Sequence, residues 1–219
     1  MIINLLRHSI TKYNEEHLMS GGMVDAPLCA NGIKLVKELK DKGIYPKDPG
    51  VLYCSSLCRS RQTLEIIYPD KDIVSSFYLD EYNFGEIEFL NTRAEINKYI
   101  ADHPEYKPVW TDFAYKPIMG ESIDEFLSRI KRGFELLYDS FCAKHYDKVT
   151  ICTHGALLKG LFVIYDNPFE LDPMIYLYNN AMGISYEVNK ENGKLVFKPI
   201  GFIGGDCFED VTFTHGFRK

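Results

Sequence analysis

Apolar positions along this chain fall into two alternating kinds of run. Met1–Leu6, Val51–Cys54 and Val149–Thr153 are short, nearly continuous apolar stretches of strand length. Between them the apolar residues recur at helical spacing. Over Asn31–Gly43, Ile33, Val36 and Leu39 share one face, and Gly43 supplies a stop. Ser60–Ile67 has helical composition, and Asp72–Phe77 reads as a third strand or an extended segment. The longest helix opens at Ser122-Ile123-Asp124-Glu125, an S-x-x-E capping box in which the Ser and Glu side chains each satisfy an orphan backbone N–H. Behind it Ile123, Phe126, Leu127, Ile130, Phe134, Leu137, Tyr138 and Phe141 form a core-facing stripe. A helix over about Gly155–Val163 follows the Val149–Thr153 strand. Gly183–Val188 and Leu195–Phe202 complete the pattern as two strands joined at Glu191-Asn192-Gly193, a hairpin turn. Strands alternating with helices predict an α/β layered fold with a largely parallel sheet, the last hairpin being antiparallel.

A chain of 219 residues suits one domain, 1–219, and can bury roughly 70% of the surface it exposes when unfolded. Leu90–Met119, with three prolines, Trp110 and one short helix near Arg93–Ala101, reads as a small insertion or lid at about 90–119. With 25 Lys and Arg against 31 Asp and Glu, the net charge of −6 argues against gripping nucleic acid or an anionic membrane through the bulk field. No apolar run has the length of a membrane span, and Arg7-His8 ends the first apolar stretch before it has the form of a secretory leader. The expected compartment is the cytoplasm. The six cysteines, Cys29, Cys54, Cys58, Cys142, Cys152 and Cys207, are scattered without a metal or redox spacing and read as ordinary thiols.

Chemistry concentrates at strand ends. The first strand runs into Arg7-His8-Ser9-Ile10-Thr11 and the Val149–Thr153 strand into His154-Gly155. In open parallel sheets, ligands bind beyond the carboxyl ends of the strands, so both histidines fall where a ligand is expected. A third strand, Val51–Cys54, leads through a polar turn to Arg59 near a helix N-terminus, where backbone N–H groups already favour an anion.

These residues resemble the histidine phosphatase superfamily, the group that includes cofactor-dependent phosphoglycerate mutases, fructose-2,6-bisphosphatases and small phosphomonoesterases. The R-H-G-x-T signature matches Arg7 to Thr11 with Asn14 following, except that Ser9 stands where the signature has Gly. S-x-L-x-R-x-x-Q-T matches Ser55 to Thr63, and L-x-E with a later G-x-x-E matches Leu79 to Glu88. P-x-G-E-S is met at Pro117 to Ser122 with one residue more between Pro and Gly, and T-H-G matches Thr153 to Gly155. The five blocks keep the family's order over about Met1 to Val163.

The resemblance implies a three-layer α/β/α sandwich with a mostly parallel sheet, of the phosphoglycerate mutase-like type. It implies that His8 is the nucleophile and that a carbonyl fixes the tautomer of its ring. Glu81 is the general acid and base. Arg7, Arg59 and His154 act in catalysis and, with Asn14 and the Gly155 N–H, bind phosphate. Planar guanidinium forks match phosphate oxygens, and a carboxyl group can protonate a leaving alcohol and then deprotonate the attacking water. The scheme needs no cofactor and no metal. The partner it implies is a small phosphorylated substrate; oligomeric state stays open, a homodimer being one option. Glu86 and Glu88 rival Glu81 by type but belong to the structural end of their block. Ser9 adds a Cβ and a hydroxyl; at positive φ it costs on the order of 1 kcal/mol, and the hydroxyl is a further donor for phosphate. Hydrolase ranks first because only about 30 residues separate the acid block from Gly120. The alternatives are a phosphoglycerate mutase-type phosphotransfer and a non-catalytic phospholigand-binding module.

Overall fold

The computed structural model describes residues 1–104, 115–165, 169, 176–205 and 208–210. In chain order its elements are β1 (Ile2–Arg7), α1 (Lys12–Glu15), α2 (Ala30–Asp41), β2 (Val51–Cys54), α3 (Cys58–Ile67) and β3 (Ile73–Ser75). Then come 3₁₀ turns at Phe77–Leu79 and Gly85–Phe89, α4 (Arg93–Asp102), α5 (Ile123–Ala143), β4 (Lys148–Thr153) and α6 (Gly155–Ile164). The remaining strands are β5 (Tyr176–Tyr178), β6 (Gly183–Glu191), β7 (Lys194–Ile203) and β8 (Phe208–Asp210).

Six strands form one sheet in the order β3-β2-β4-β1-β6-β7, and β5 pairs with β8 in a second, two-stranded sheet. β3, β2, β4 and β1 are mutually parallel, while β6 and β7 run antiparallel, as the strand–helix alternation predicts. Asn192 and Gly193, both at positive φ, make the tight turn between β6 and β7. Side-chain alternation along the central strands feeds two cores. Ile3, Leu5, Tyr53, Val149 and Ile151 face α5 and α6, where Phe126, Ile130, Phe134, Leu157 and Leu161 meet them. Leu6, Leu52, Cys54 and Cys152 face α2 and α3, against Val36, Leu39, Leu64 and Ile67. The result is the three-layer α/β/α sandwich.

The Ser122 capping box forms with both hydrogen bonds and starts α5, worth about 0.5–2 kcal/mol on the Ser side alone. The α2 stripe differs from its expected form: Val36 and Leu39 are buried, but Ile33 is 37% exposed. Gly32 takes the inward position instead, so close to the backbone that a Cβ there would lie 2.0 Å from the Ile10 carbonyl oxygen. β5, β8 and the 3₁₀ turn at Gly85–Phe89 have no counterpart in the periodicity. Trp110 lies outside the described residues, as does Cys207. Among the described residues no helix is long and apolar enough to cross a membrane.

Candidate active site

Register brings the chemistry together. β1 and β4 pair in parallel with Arg7 opposite Thr153, and β4 pairs with β2 with Cys152 opposite Cys54. The next residues, His8, His154 and Ser55, therefore emerge at the same end of the sheet. The His8 N–H donates to the Thr153 carbonyl at 2.8 Å, and the two imidazole rings lie 5.1 Å apart between centroids. Arg7 is 7% exposed, His8 4%, Glu81 8%, and Arg59 and His154 are fully buried. Polar groups this deep need partners, and each partner restricts what its group can do.

His8 donates from Nδ1 to the Ser9 carbonyl oxygen at 2.6 Å. With Nδ1 carrying the proton, Nε2 of the neutral ring keeps its lone pair. Burial and then the Arg59 and Arg7 charges push the His8 pKa well below 6.5, with the Ser9 carbonyl opposing them. The ring is therefore neutral near pH 7.

Arg59, in the first turn of α3, donates from Nε to His154 Nδ1 at 3.3 Å, from Nη1 to the Val24 carbonyl and from Nη2 to the Gly21 carbonyl, both at 2.9 Å. Burial lowers its pKa and the carboxylates of Glu81, Asp25 and Glu88 raise it. A guanidinium stays charged through such a shift. Because Arg59 donates to His154 Nδ1, the proton of the neutral His154 ring sits on Nε2 and goes to Ser55 Oγ at 2.7 Å. Burial, Arg59 and His8, in that order, drive the His154 pKa well below 6.5. Both ring nitrogens of His154 are thus occupied within the protein. Here the residue expected to bind phosphate bonds to Arg59 and Ser55.

Glu81 follows the 3₁₀ turn at Phe77–Leu79 and reaches the N-terminus of α6. Its Oε2 accepts from Ala156 N and its Oε1 from Leu157 N, both at 3.2 Å, and Oε1 also accepts from Tyr82 N at 3.0 Å. α6 has no cap from His154, so Glu81 supplies one from another part of the chain. Burial raises the Glu81 pKa, while these N–H groups and then Arg59 and Arg7 hold it down; the net direction is upward. The Gly155 N–H precedes the two amides that Glu81 takes. Arg7 donates from Nη1 to the Tyr178 carbonyl at 2.5 Å, which fixes one edge of its guanidinium.

Two expected contacts differ. Asn14 turns back on its own helix: Oδ1 accepts from Thr11 N and Thr11 Oγ1, both at 3.0 Å, closing a capping box on α1. Its Nδ2 has no partner among the described residues. Ser9 has no positive φ, and its hydroxyl donates to the Gly32 carbonyl at 2.8 Å. It is therefore neither strained nor aimed at phosphate.

Several residues with a role were not assigned one from sequence. Ser55 sat inside a quoted block, but its bond to His154 is a tertiary contact. Arg129 of α5 pairs with both carboxylate oxygens of Glu121, at 2.7 and 3.2 Å, and donates to the Asp80 and Glu81 carbonyls at 3.1 Å. It thereby grips the segment that carries Glu81. Glu88, fully buried, collects Gly21 N, Met23 N and Val24 N on Oε2 and Phe84 N on Oε1. It shapes the loop whose carbonyls hold Arg59. Ser55 and Glu88 lie in motif blocks that do not reveal these partners, and nothing in the local pattern marks Arg129.

The family model of the histidine phosphatase superfamily (branch 1) matches residues 3–185. The chain belongs to that superfamily. A phosphohistidine mechanism is typical of the family, and family and homologues together support a phosphoric monoester hydrolase. A 2,3-bisphosphoglycerate-dependent phosphoglycerate mutase of Lachnoclostridium phytofermentans is 24% identical over 90% of each chain. Among solved structures, the alpha-ribazole phosphatase from Shigella flexneri superposes with a TM-score of 0.71 at 21% identity, covering 91% of this chain and 96% of its own. A mycobacterial glucosyl-3-phosphoglycerate phosphatase, in complex with VO3, superposes with a TM-score of 0.69 at 20% identity over 91% and 96%. At these identities the structural likeness speaks for the fold.

Proposed function

We propose that this histidine phosphatase hydrolyses a small phosphorylated metabolite with His8 as nucleophile and Glu81 as general acid and base. The observation that carries the reading is the Nδ1–H bond from His8 to the Ser9 carbonyl. It leaves a lone pair on Nε2 in a pocket whose positive charge comes from Arg7 and Arg59. In the first step Nε2 forms a bond to phosphorus, the ester P–O bond breaks, and the Glu81 proton goes to the departing oxygen. In the second step water attacks phosphorus, gives its proton to Glu81, and the N–P bond breaks to release phosphate. Arg7 and Arg59 bind the phosphoryl oxygens throughout, and the Gly155 N–H adds a donor at the α6 N-terminus. Asn14 joins through Nδ2, its remaining donor. His154 holds Arg59 in place.

The overall charge of −6 favours a compact substrate over a long polyanion, since binding rests on a few close contacts inside an acidic body. The test is turnover of p-nitrophenyl phosphate by wild type and His8→Ala. Wild type should hydrolyse it and form an acid-labile phosphoenzyme, and His8→Ala should do neither. Absence of both from wild type across several monoesters would sink the reading. The mutase relative spanning 90% of this chain gives the second reading its ground. With 3-phosphoglycerate and a 2,3-bisphosphoglycerate primer, isomerisation faster than phosphate release would make the chain a mutase.

A further inference from the structure

Ser9 replaces the glycine of the R-H-G-x-T signature, and its hydrogen bonds give it a use that glycine lacks. The Ser9 N–H donates to Thr63 Oγ1 of α3 at 3.0 Å, and its hydroxyl donates to the Gly32 carbonyl of α2 at 2.8 Å. Thr63 is itself fixed, donating to the Arg59 carbonyl at 2.8 Å. The following residue is pinned too: Cys29 N donates to the Ile10 carbonyl at 3.0 Å, and Gly32 presses on the Ile10 backbone. Ser9 is thus tied to α3 through its N–H and to α2 through its hydroxyl, and the Ile10 carbonyl to the N-cap of α2, so tethers flank the peptide unit that joins the two residues. Its carbonyl oxygen is the one that accepts the His8 Nδ1 proton. Ser9 is fully buried, so its hydroxyl faces no water that could compete for the bond.

We propose that Ser9 is a positioning residue that clamps its own carbonyl on His8 Nδ1 through the Oγ–Gly32 bond, and so holds the ring in the tautomer whose Nε2 bears the lone pair. This rests on His8 being the nucleophile. A glycine at position 9 keeps the N–H bond to Thr63 and the Ile10 bond to Cys29 but loses the hydroxyl tether to Gly32. The peptide unit can then tilt, the bond to Nδ1 weakens, and the other neutral tautomer gains population. A ring with its proton on Nε2 offers phosphorus no lone pair there.

The experiment compares wild type, Ser9→Gly and Ser9→Ala. Ser9→Gly restores the signature residue, and Ser9→Ala removes only the hydroxyl, so a folding failure in one leaves the other to decide. With ¹⁵N-labelled histidine at pH 8, and the His8 resonances identified by their loss in His8→Ala, wild type should show protonated Nδ1 and unprotonated Nε2. Both variants should shift toward a mixture. With p-nitrophenyl phosphate, kcat should fall roughly tenfold, KM staying within about twofold, because misplacement of a reacting group acts on the chemical step. An unchanged His8 ring spectrum in both variants overturns the proposal, whether or not kcat falls. The spectrum needs no turnover, so it decides this proposal even where the phosphatase reading fails.

Discussion

The floor of the site and its flank are built on different plans. The floor is the sheet edge where β1, β2 and β4 end, with the starts of α3 and α6. It lies on two large cores, and its polar side chains are bonded to one another or to backbone from distant parts of the chain. The flank is the Gly85–Phe89 turn and α4. Among the described residues only Ile87 and Ile96 are fully buried in its cluster, with half-buried Leu18, Met19, Phe84, Leu90, Tyr99, Ile100 and Tyr115 packed around them. The two regions meet at Glu88, which belongs to the flank and shapes the loop that holds Arg59. Chemistry that needs fixed distances sits where backbone register sets them, and we propose that substrate selection falls to the region with less apolar surface to bury.

After loss of the nucleophile itself, the largest effect should come from the floor residue that passes the proton. Glu81→Gln keeps shape and removes the proton-transfer group, so kcat should fall roughly 10²–10⁴-fold with an alkyl phosphate. The fall should be smaller with p-nitrophenyl phosphate, whose leaving group needs less protonation. The pH profile sharpens the assignment. His8 must be neutral to attack, so activity rises as pH increases through its pKa, which lies well below 6.5. Glu81 must hold its proton to donate it, so activity falls as pH increases through its pKa, which lies above 4.5. A bell-shaped kcat/KM profile is expected in wild type, and Glu81→Gln should lose the alkaline limb and keep the acid one. An alkaline limb that survives the substitution would assign that limb to another group.

What could be read from sequence follows the same division. The three strands that deliver His8, His154 and Arg59 announce themselves as short apolar runs ending in polar residues, because a buried parallel strand has few other compositions available. The Ser122 box was equally plain, being local to four residues. Arg129 was not: it is one basic residue on the polar side of a long helix, and its targets are the carbonyls of a segment some fifty residues earlier. The partners of His154 escaped for the same reason. Ile33 misled because periodicity registers side-chain polarity and not distance. α2 approaches the backbone of residue 10 so closely that a glycine has to occupy the inner position. The Thr11–Asn14 box was local, and its T-x-x-N spacing is the sign that Asn14 serves the helix cap.

Arg129→Ala tests whether the floor extends into α5. The Arg129 side chain is 20% exposed and its guanidinium is forked onto Glu121, whose side chain is 16% exposed. Its loss frees the Asp80 and Glu81 carbonyls and leaves Glu121 without its cation, a cost of about 1–3 kcal/mol in stability. We expect kcat to fall about tenfold with KM nearly unchanged, as for a mispositioned acid. Arg129→Lys should not restore it, since one ammonium cannot span both the carboxylate fork and two carbonyls. A variant that loses stability but keeps wild-type kcat would confine Arg129 to folding.

The smallest catalytic effect should come from the flank. Ile96 is fully buried but among the described residues shares its cluster with only one other fully buried side chain. Ile96→Ala removes three carbon atoms and should cost about 2 kcal/mol, near the low end for such truncations, because a small cluster can collapse around the gap. That cost should fall on local opening of α4 rather than on the whole molecule. Amide exchange should speed up across Arg93–Asp102 and stay unchanged in β1 and β4. Turnover of p-nitrophenyl phosphate, too small to need the flank, should hold within about twofold, while KM for bulkier monoesters rises. Faster exchange in β1 and β4 would show that floor and flank open as one cooperative unit. The Glu88 contact would then be a structural beam rather than a seam, and substrate selection could not vary at the flank without disturbing Arg59.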